Sequence, residues 1–247
     1  MIALISDVHG NLEALQAVLD EAGGADAVYC CGDVVGYGPN PNECCQLLRQ
    51  CGVQTVKGNH DNTCAMMEDM EPCSSMARQS FHWTHERLTA ENIEWLLSLP
   101  LRMDVDGMSL VHGCPGTPYE MLNTYVLDYF YSDKQYEELL GRVSGDRLVL
   151  GHTHIPLSHG LNSKVINPGS LGQPRDGNWR PSYAIVEDIR YSFSFVHNAR
   201  ASFSMLKDRV EFRRVEYDRE RTAAKIEREP GLPDKLAHIL RHGGLRV

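Results

Sequence analysis

Five short motifs rich in Asp, His and Asn punctuate the chain in a fixed order, and each follows a short apolar run. Asp7-Val8-His9-Gly10 follows IALI, Gly32-Asp33 follows AVYCC, Gly58-Asn59-His60-Asp61 follows TVK, His112-Gly113 follows MSLV, and Gly151-His152-Thr153-His154 follows RLVL. Apolar runs of this length, ended by polar loop residues, read as buried strands. If the strands lie side by side, these polar side chains emerge together at one sheet edge, at the carboxyl ends where α/β folds hold their sites. Such repetition of strand and polar loop points to an α/β architecture with one shared site.

The residue types match a site for two divalent cations. Ions roughly 3.5 to 4 Å apart can clamp the attacking and leaving oxygens of a phosphoryl displacement, but they repel each other and need a shared anion. Asp33, central in the order, is the candidate bridge, with neutral imidazoles completing each shell. This mixed N and O set suits manganese, iron, zinc, nickel or cobalt and differs from an oxygen-only Ca or Mg cage. A water shared by two such ions would lose its proton near neutral pH, which makes hydroxide the expected nucleophile.

The order D-x-H, G-D, G-N-H-D, H, G-H-x-H resembles that of the calcineurin-like metallophosphoesterase family. The stretches GDVVGYGPNPNE, WLLSLP and NPGSLGQPRDG resemble its smaller prokaryotic phosphodiesterase branch. The resemblance implies a four-layer α/β/β/α sandwich of two packed mixed sheets flanked by helices. It also implies two divalent transition-metal ions as cofactors. One would be held by Asp7, His9, Asp33 and His154, the other by Asp33, Asn59, His112 and His152. His60 would not be a ligand but would stand beside the substrate phosphate, as a general acid or as a stabiliser of its charge.

Protein Ser/Thr phosphatases of the same superfamily carry G-D-x-x-D-R-G, in which the second Asp orients the catalytic His and the Arg holds phosphate. Here Gly36-Tyr37-Gly38 stands at those places, which argues against protein phosphatase activity and leaves Asp61 as the nearest candidate for orienting His60. Three substrate-binding candidates remain, each with two readings. Arg175 could supply the missing phosphate-holding cation or be solvated. Asn11 could touch phosphate or cap the helix that follows it. Tyr37 could stack on a base or cover its own loop.

With 247 residues, 42% of them hydrophobic, and no Ser/Gly/Pro-rich linker, the chain is expected to form one domain over 1–247, with 218–247 as a C-terminal helical tail. The first apolar run stops at Ser6-Asp7, too short for a signal peptide or a membrane span, so a cytoplasmic protein without membrane contact is expected. Eight cysteines, including the pairs Cys30-Cys31 and Cys44-Cys45 but no CxxC, are expected as reduced core thiols. The net charge of −9 argues against long nucleic acid as a partner, while bound metal ions would locally reverse the sign and admit a small phosphate ester.

Leu12, Leu15, Val18 and Leu19 recur at helical spacing between Asn11 and Ala22, and a second helix is read from Pro41 to Gln50. Met76, Phe81, Trp83, Leu88, Ile93, Trp95 and Leu96 mark two helices between Ser74 and Leu99 that could stand over the site. Strand-like runs resume at 101–111, 147–150, 164–167, 182–187, 191–197 and 209–216, the last two resembling family strands that widen a second sheet. From Asp218 onward, Ile226, Leu232, Leu236 and Leu240 mark helices expected to pack on the outside. His82, His85, His159, His197, His238 and His242 lie outside the motifs and are assigned no role.

Three functions fit these residues. The first is hydrolysis of small phosphate mono- or diesters, nucleotide-like in character, with His60 assisting the leaving group. The second keeps this chemistry but takes a dinucleoside polyphosphate such as diadenosine tetraphosphate. The third is a non-catalytic protein-binding scaffold of the same fold, disfavoured because His60 and the whole ligand set are present.

Overall fold

The structure is a computed structural model and describes residues 1–67, 73–126, 131–187 and 209–244. The first part alternates strand and helix as β1 (Ile2–Ile5), α1 (Leu12–Glu21), β2 (Ala27–Cys30), α2 (Pro41–Gln50) and β3 (Gln54–Thr55), followed by α3 (Asn59–Met66), α4 (Ser75–Arg87) and α5 (Ala90–Ser98). Next come β4 (Arg102–Val105), β5 (Met108–Val111), α6 (Pro118–Asn123), α7 (Asp133–Leu140), β6 (Arg147–Val149), β7 (Leu157–His159) and β8 (Val165–Asn167). The described chain closes with β9 (Ser182–Glu187), β10 (Arg209–Arg214), α8 (Arg219–Arg228) and α9 (Lys235–His242).

The strands form two five-stranded sheets, ordered β10-β9-β1-β2-β3 and β4-β5-β6-β8-β7. Both are mixed: β1, β2 and β3 run parallel, as do β5, β6 and β8, with antiparallel partners outside them. Because successive strand residues point to opposite faces, each sheet serves two cores. Leu4, Tyr29, Met108, Leu110, Val149, Ile166, Ala184 and Val186, from both sheets, meet in the interior between them. On the other face of the first sheet, Ala3, Ile5, Tyr183 and Ile185 join Leu15, Leu48, Phe81, Ile226 and Leu236 from the helices. On the other face of the second, Val111, Leu148 and Val165 join Tyr136 and Leu139 of α7. The result is the four-layer α/β/β/α sandwich that the resemblance implied.

Several local expectations change. The run 101–111 is a hairpin of β4 and β5, because Asp106 and Gly107 take left-handed φ values of 49° and 73°, a two-residue turn that matches strand twist. Strand β10 pairs with β9 in the sheet of β1, setting Val210 and Phe212 against the intersheet core, so it does not widen the second sheet. The run 191–197 lies outside the described residues. The C-terminal helices join the helical layer outside the first sheet, with Ile226, Leu232, Leu236 and Leu240 buried in the cluster that holds Leu15 and Tyr37. A buried carboxylate ties α8 to α1, since Glu13 accepts from Thr222 Oγ1 at 2.9 Å and from Lys225 Nζ at 2.6 Å. Among the described residues, no helix is long and apolar enough to cross a membrane. The eight cysteines are free thiols, and burial pushes those of Cys30 and Cys31 up, away from the thiolate that would bind metal.

Candidate metal centre

The loops that follow β1, β2, β3, β5 and β6 converge and are laced together by backbone hydrogen bonds. Asp7 N–H donates to Gly32 O at 3.0 Å, His9 N–H to Asp33 O at 2.9 Å and Gly151 N–H to His112 O at 2.8 Å. His152 N–H donates to Asp7 Oδ2 at 3.1 Å, which joins the loops of one sheet to those of the other. The Asn167-Pro168-Gly169-Ser170 turn braces both sides: Asn167 Nδ2 donates to Gly151 O at 2.7 Å, and Ser170 Oγ donates to Asp7 O at 2.8 Å. Asp7, His9, Asp33, His152 and His154 all take left-handed φ values, between 48° and 69°. Such conformations cost on the order of 1 kcal/mol or more per non-glycine residue and cluster at functional sites.

Two groups of ligand-type atoms result. Asp7, His9, Asp33 and His154 form one, Asp33, His112 and His152 the other, and within each group the candidate atoms lie within 4.8 Å of one another. All six residues are buried, and Asp33 belongs to both groups. Asn59 Oδ1 lies 3.1 Å from His112 Nε2, beside the second group.

The ring protons show what these groups can hold. In each of the four histidines one nitrogen faces a backbone carbonyl, which can only accept: His9 Nδ1 to Val35 at 3.2 Å, His112 Nδ1 to Cys31 at 2.7 Å, His152 Nε2 to Asn123 at 3.2 Å and His154 Nδ1 to Gln173 at 2.6 Å. That nitrogen therefore carries the proton, and in the neutral ring the other presents a lone pair. The lone pairs meet two by two, His9 Nε2 with His154 Nε2 at 3.0 Å and His112 Nε2 with His152 Nδ1 at 3.2 Å. Asp7 Oδ1 and Asp33 Oδ2 are buried beside them without a hydrogen-bond partner. Carboxylate oxygens and ring nitrogens that converge in this way are what a cation satisfies once the rings are neutral, and carbonyl anchors of this kind orient metal-binding imidazoles.

Burial lowers the pKa of His9, His152 and His154, that of His152 to about 3, so these rings are neutral. His112 differs: burial works to lower it, but Asp33 at 3.2 Å, helped by Asp7 and the Cys31 carbonyl, raises it to about 9. A proton on His112 Nε2 thus occupies the position that a cation would take, and metal binding must displace it.

His60 belongs to neither group. Its backbone N–H donates to Asp33 Oδ1 at 2.8 Å, and its ring contacts His9, Tyr37 and Phe81, each with a centroid separation of 4.6 Å. Phe81 lies on α4, so that helix does stand over the site. Burial lowers the His60 pKa to about 4, and its Nδ1 has no hydrogen-bond partner. Gly36, with φ 86°, lies so close to Nδ1 that any Cβ there would strike the ring, which explains why no carboxylate occupies this position.

Asp61 does not orient His60. Its Oδ2 accepts the N–H groups of Asp33 and Gly58, both at 2.9 Å, and its Oδ1 accepts those of Val34 at 2.8 Å and Val35 at 3.2 Å. Asn11 is a helix cap: its Oδ1 accepts from Ala14 N–H at 3.2 Å, and both protons of its Nδ2 are spent on Gly172 O and the Tyr217 hydroxyl, each at 3.2 Å. No valence of that amide is left for phosphate. Tyr37, 8% exposed and with φ 63°, covers its loop by packing on His9 and His60. Arg175 is half-buried, donates to Gln173 Oε1 at 3.2 Å, and its charge acts on Asp7, His9, Tyr37, His60 and His154, so it lies near the centre. Tyr125, which no motif marks, stacks on His152 with centroids 3.8 Å apart.

Residues 1–188 match a family model described as the calcineurin-like phosphoesterase superfamily domain. An uncharacterized protein of Methanocaldococcus jannaschii is 33% identical over 262 residues, covering 97% of each chain. Among solved structures, a metallophosphoesterase from Sphaerobacter thermophilus is similar with a TM-score of 0.75 and 35% identity, covering 98% of both chains. A hypothetical protein from Pyrococcus horikoshii is similar in fold, with a TM-score of 0.81, 24% identity and 99% of both chains covered. A family match that takes in all five motif loops, on a chain whose two sheets bring those loops together, shows that this protein belongs to the calcineurin-like phosphoesterase superfamily.

Proposed function

We propose that the chain is a binuclear metal-dependent hydrolase of small phosphate mono- or diesters, nucleotide-like in character. Asp7, His9, Asp33 and His154 hold one divalent transition-metal ion in this reading, and Asp33, Asn59, His112 and His152 hold the second. The observation that carries it is the set of four carbonyl-anchored imidazoles whose second nitrogens converge beside two unpartnered carboxylate oxygens. The donor set suits manganese, iron, zinc, nickel or cobalt. Bound, the ions would supply Lewis acidity toward phosphoryl oxygens and a water that ionises near neutral pH.

The chain's own residues supply the rest. His60, neutral when free, gains a proton as a phosphate anion comes beside it and delivers that proton to the leaving oxygen. Arg175 pairs with non-reacting phosphate oxygens. The complete ligand set and His60 favour hydrolysis over a binding scaffold. We take 1–247 as one domain, since α8 and α9 complete the core of the first sheet, and the cytoplasm as the compartment that suits eight free thiols.

Elemental analysis of metal-reconstituted protein tests this reading, together with turnover of bis-p-nitrophenyl phosphate, p-nitrophenyl phosphate, cyclic nucleotides and diadenosine tetraphosphate. Two ions per chain are expected, with both weakened by Asp33→Asn and mainly one by Asn59→Ala. His60→Ala should keep both ions and lose roughly 10² to 10⁴ in kcat, less for esters with good leaving groups. Full occupancy of both positions in Asp33→Asn would remove the bridging assignment. A two-metal protein that turns over none of the esters would remove the enzymatic one.

A further inference from the structure

Tyr125 packs on the candidate metal centre and is half exposed. It stacks on His152 with centroids 3.8 Å apart and ring planes 26° from parallel. His152 is 5% exposed, whereas Tyr125 is 49% exposed, so the contact shields the histidine and still leaves much of the tyrosine in solvent. The backbone beneath it is pinned. The Asn123 carbonyl accepts from His152 Nε2 at 3.2 Å, Gly113 N–H donates to Met121 O at 2.6 Å, and Thr124 N–H donates to Glu120 O at 3.2 Å.

A half-exposed aromatic ring stacked on a candidate ligand of the centre can offer its solvent-exposed part to a flat group attached to a bound phosphate. Resting on the proposed phosphoesterase reading, we infer that the solvent-exposed part of Tyr125 is a stacking platform for a planar substituent of the substrate, so the site prefers aryl or nucleoside phosphates to alkyl phosphates. Stacking on a tyrosine face tolerates every base, because each base has a π face and none needs a particular hydrogen-bond pattern. Tyr125 thus selects for planarity, while the metal groups and Arg175 recognise the phosphate.

Calorimetric binding of phenylphosphonate, cyclohexylphosphonate and methylphosphonate to the metal-reconstituted protein tests this without turnover, since none has an ester bond. The parent protein should bind phenylphosphonate roughly tenfold or more tighter than methylphosphonate, the scale of one stacking contact, with the cyclohexyl compound well below phenyl. Tyr125→Ala should remove the phenyl advantage while methylphosphonate affinity and metal content stay as in the parent, and Tyr125→Phe should retain it. An unchanged phenyl-to-methyl ratio in Tyr125→Ala would overturn the platform. So would equal weakening of all three ligands together with metal loss, because Tyr125 would then only shield His152. Failure of every phosphonate to bind the two-metal protein would instead bring down the phosphoesterase reading, and the platform with it.

Discussion

The Asp61 carboxylate accepts the backbone N–H of Asp33 at 2.9 Å, so the last residue of one motif holds the loop of the motif before it. Burial, and then the charge of Asp33, push the Asp61 pKa up to about 7, while the N–H donors oppose that shift. Each of its oxygens already accepts two backbone donors, which leaves no room for a proton and makes the carboxylate the form that fits. Asp61 therefore serves His60 only at one remove, by fixing the Asp33 loop to the start of α3.

Asp61→Asn should turn an amide NH₂ toward two backbone donors and leave both unmatched. Each orphaned buried N–H costs about 1 to 3 kcal/mol, so the variant should melt several degrees below the parent. Because Asp33 is common to both groups, metal occupancy should fall at both positions. Thermal denaturation and elemental analysis check this. A variant with parental stability and metal content but an altered pH profile of kcat would return Asp61 to an orienting role.

The buried histidines predict an acid-sensitive metal-free protein. Burial lowers His60 to about 4 and His152 to about 3 from the usual 6.5, and it lowers His9 and His154 as well. Below pH 6.5 the unfolded chain takes up protons on these rings that the folded state does not, so stability present above pH 6.5 is lost as pH falls toward about 4. Asp7, pushed up to about 7, acts in the opposite sense over the same window, but the four rings outnumber this one carboxyl, and Asp61 is held as a carboxylate by its four backbone donors. His112, raised to about 9, contributes stability that is complete below pH 6.5 and lost as pH rises through about 9. The melting temperature should thus fall steadily from pH 6.5 to 4, and His60→Gln should flatten the slope. An identical slope in parent and variant would show that His60 ionises freely in the folded chain.

Arg175 lies near the centre, donates to Gln173 Oε1 at 3.2 Å, and also hydrogen-bonds the Tyr37 side chain. If it pairs with phosphate, Arg175→Ala should cost about 1.5 to 3 kcal/mol in kcat/KM, with metal content and melting temperature near parental values. Arg175→Lys should already raise KM, since a point charge cannot reproduce the paired contact of a guanidinium. Steady-state kinetics on a phosphate ester decide it, and parental kcat/KM in both variants would make Arg175 a structural residue.

The sequence by itself determined the donor types, their order and the strand–loop units that carry them, because each unit is a local pattern of a few apolar residues ended by polar ones. Helices α1, α2, α4 and α5 were legible for the same reason, since helical period is a property of neighbours. Only the tertiary structure decided which ring nitrogen carries each proton, because the carbonyls of Val35, Cys31, Asn123 and Gln173 that choose it lie 19 to 81 residues away from their histidines. The same holds for the burial of Ile226 and Leu236, the pairing of β10 with β9, the four donors gathered by Asp61 and the stacking of Tyr125 on His152. Each depends on contacts between distant segments, which local spacing does not encode and which form only when the two sheets close on each other.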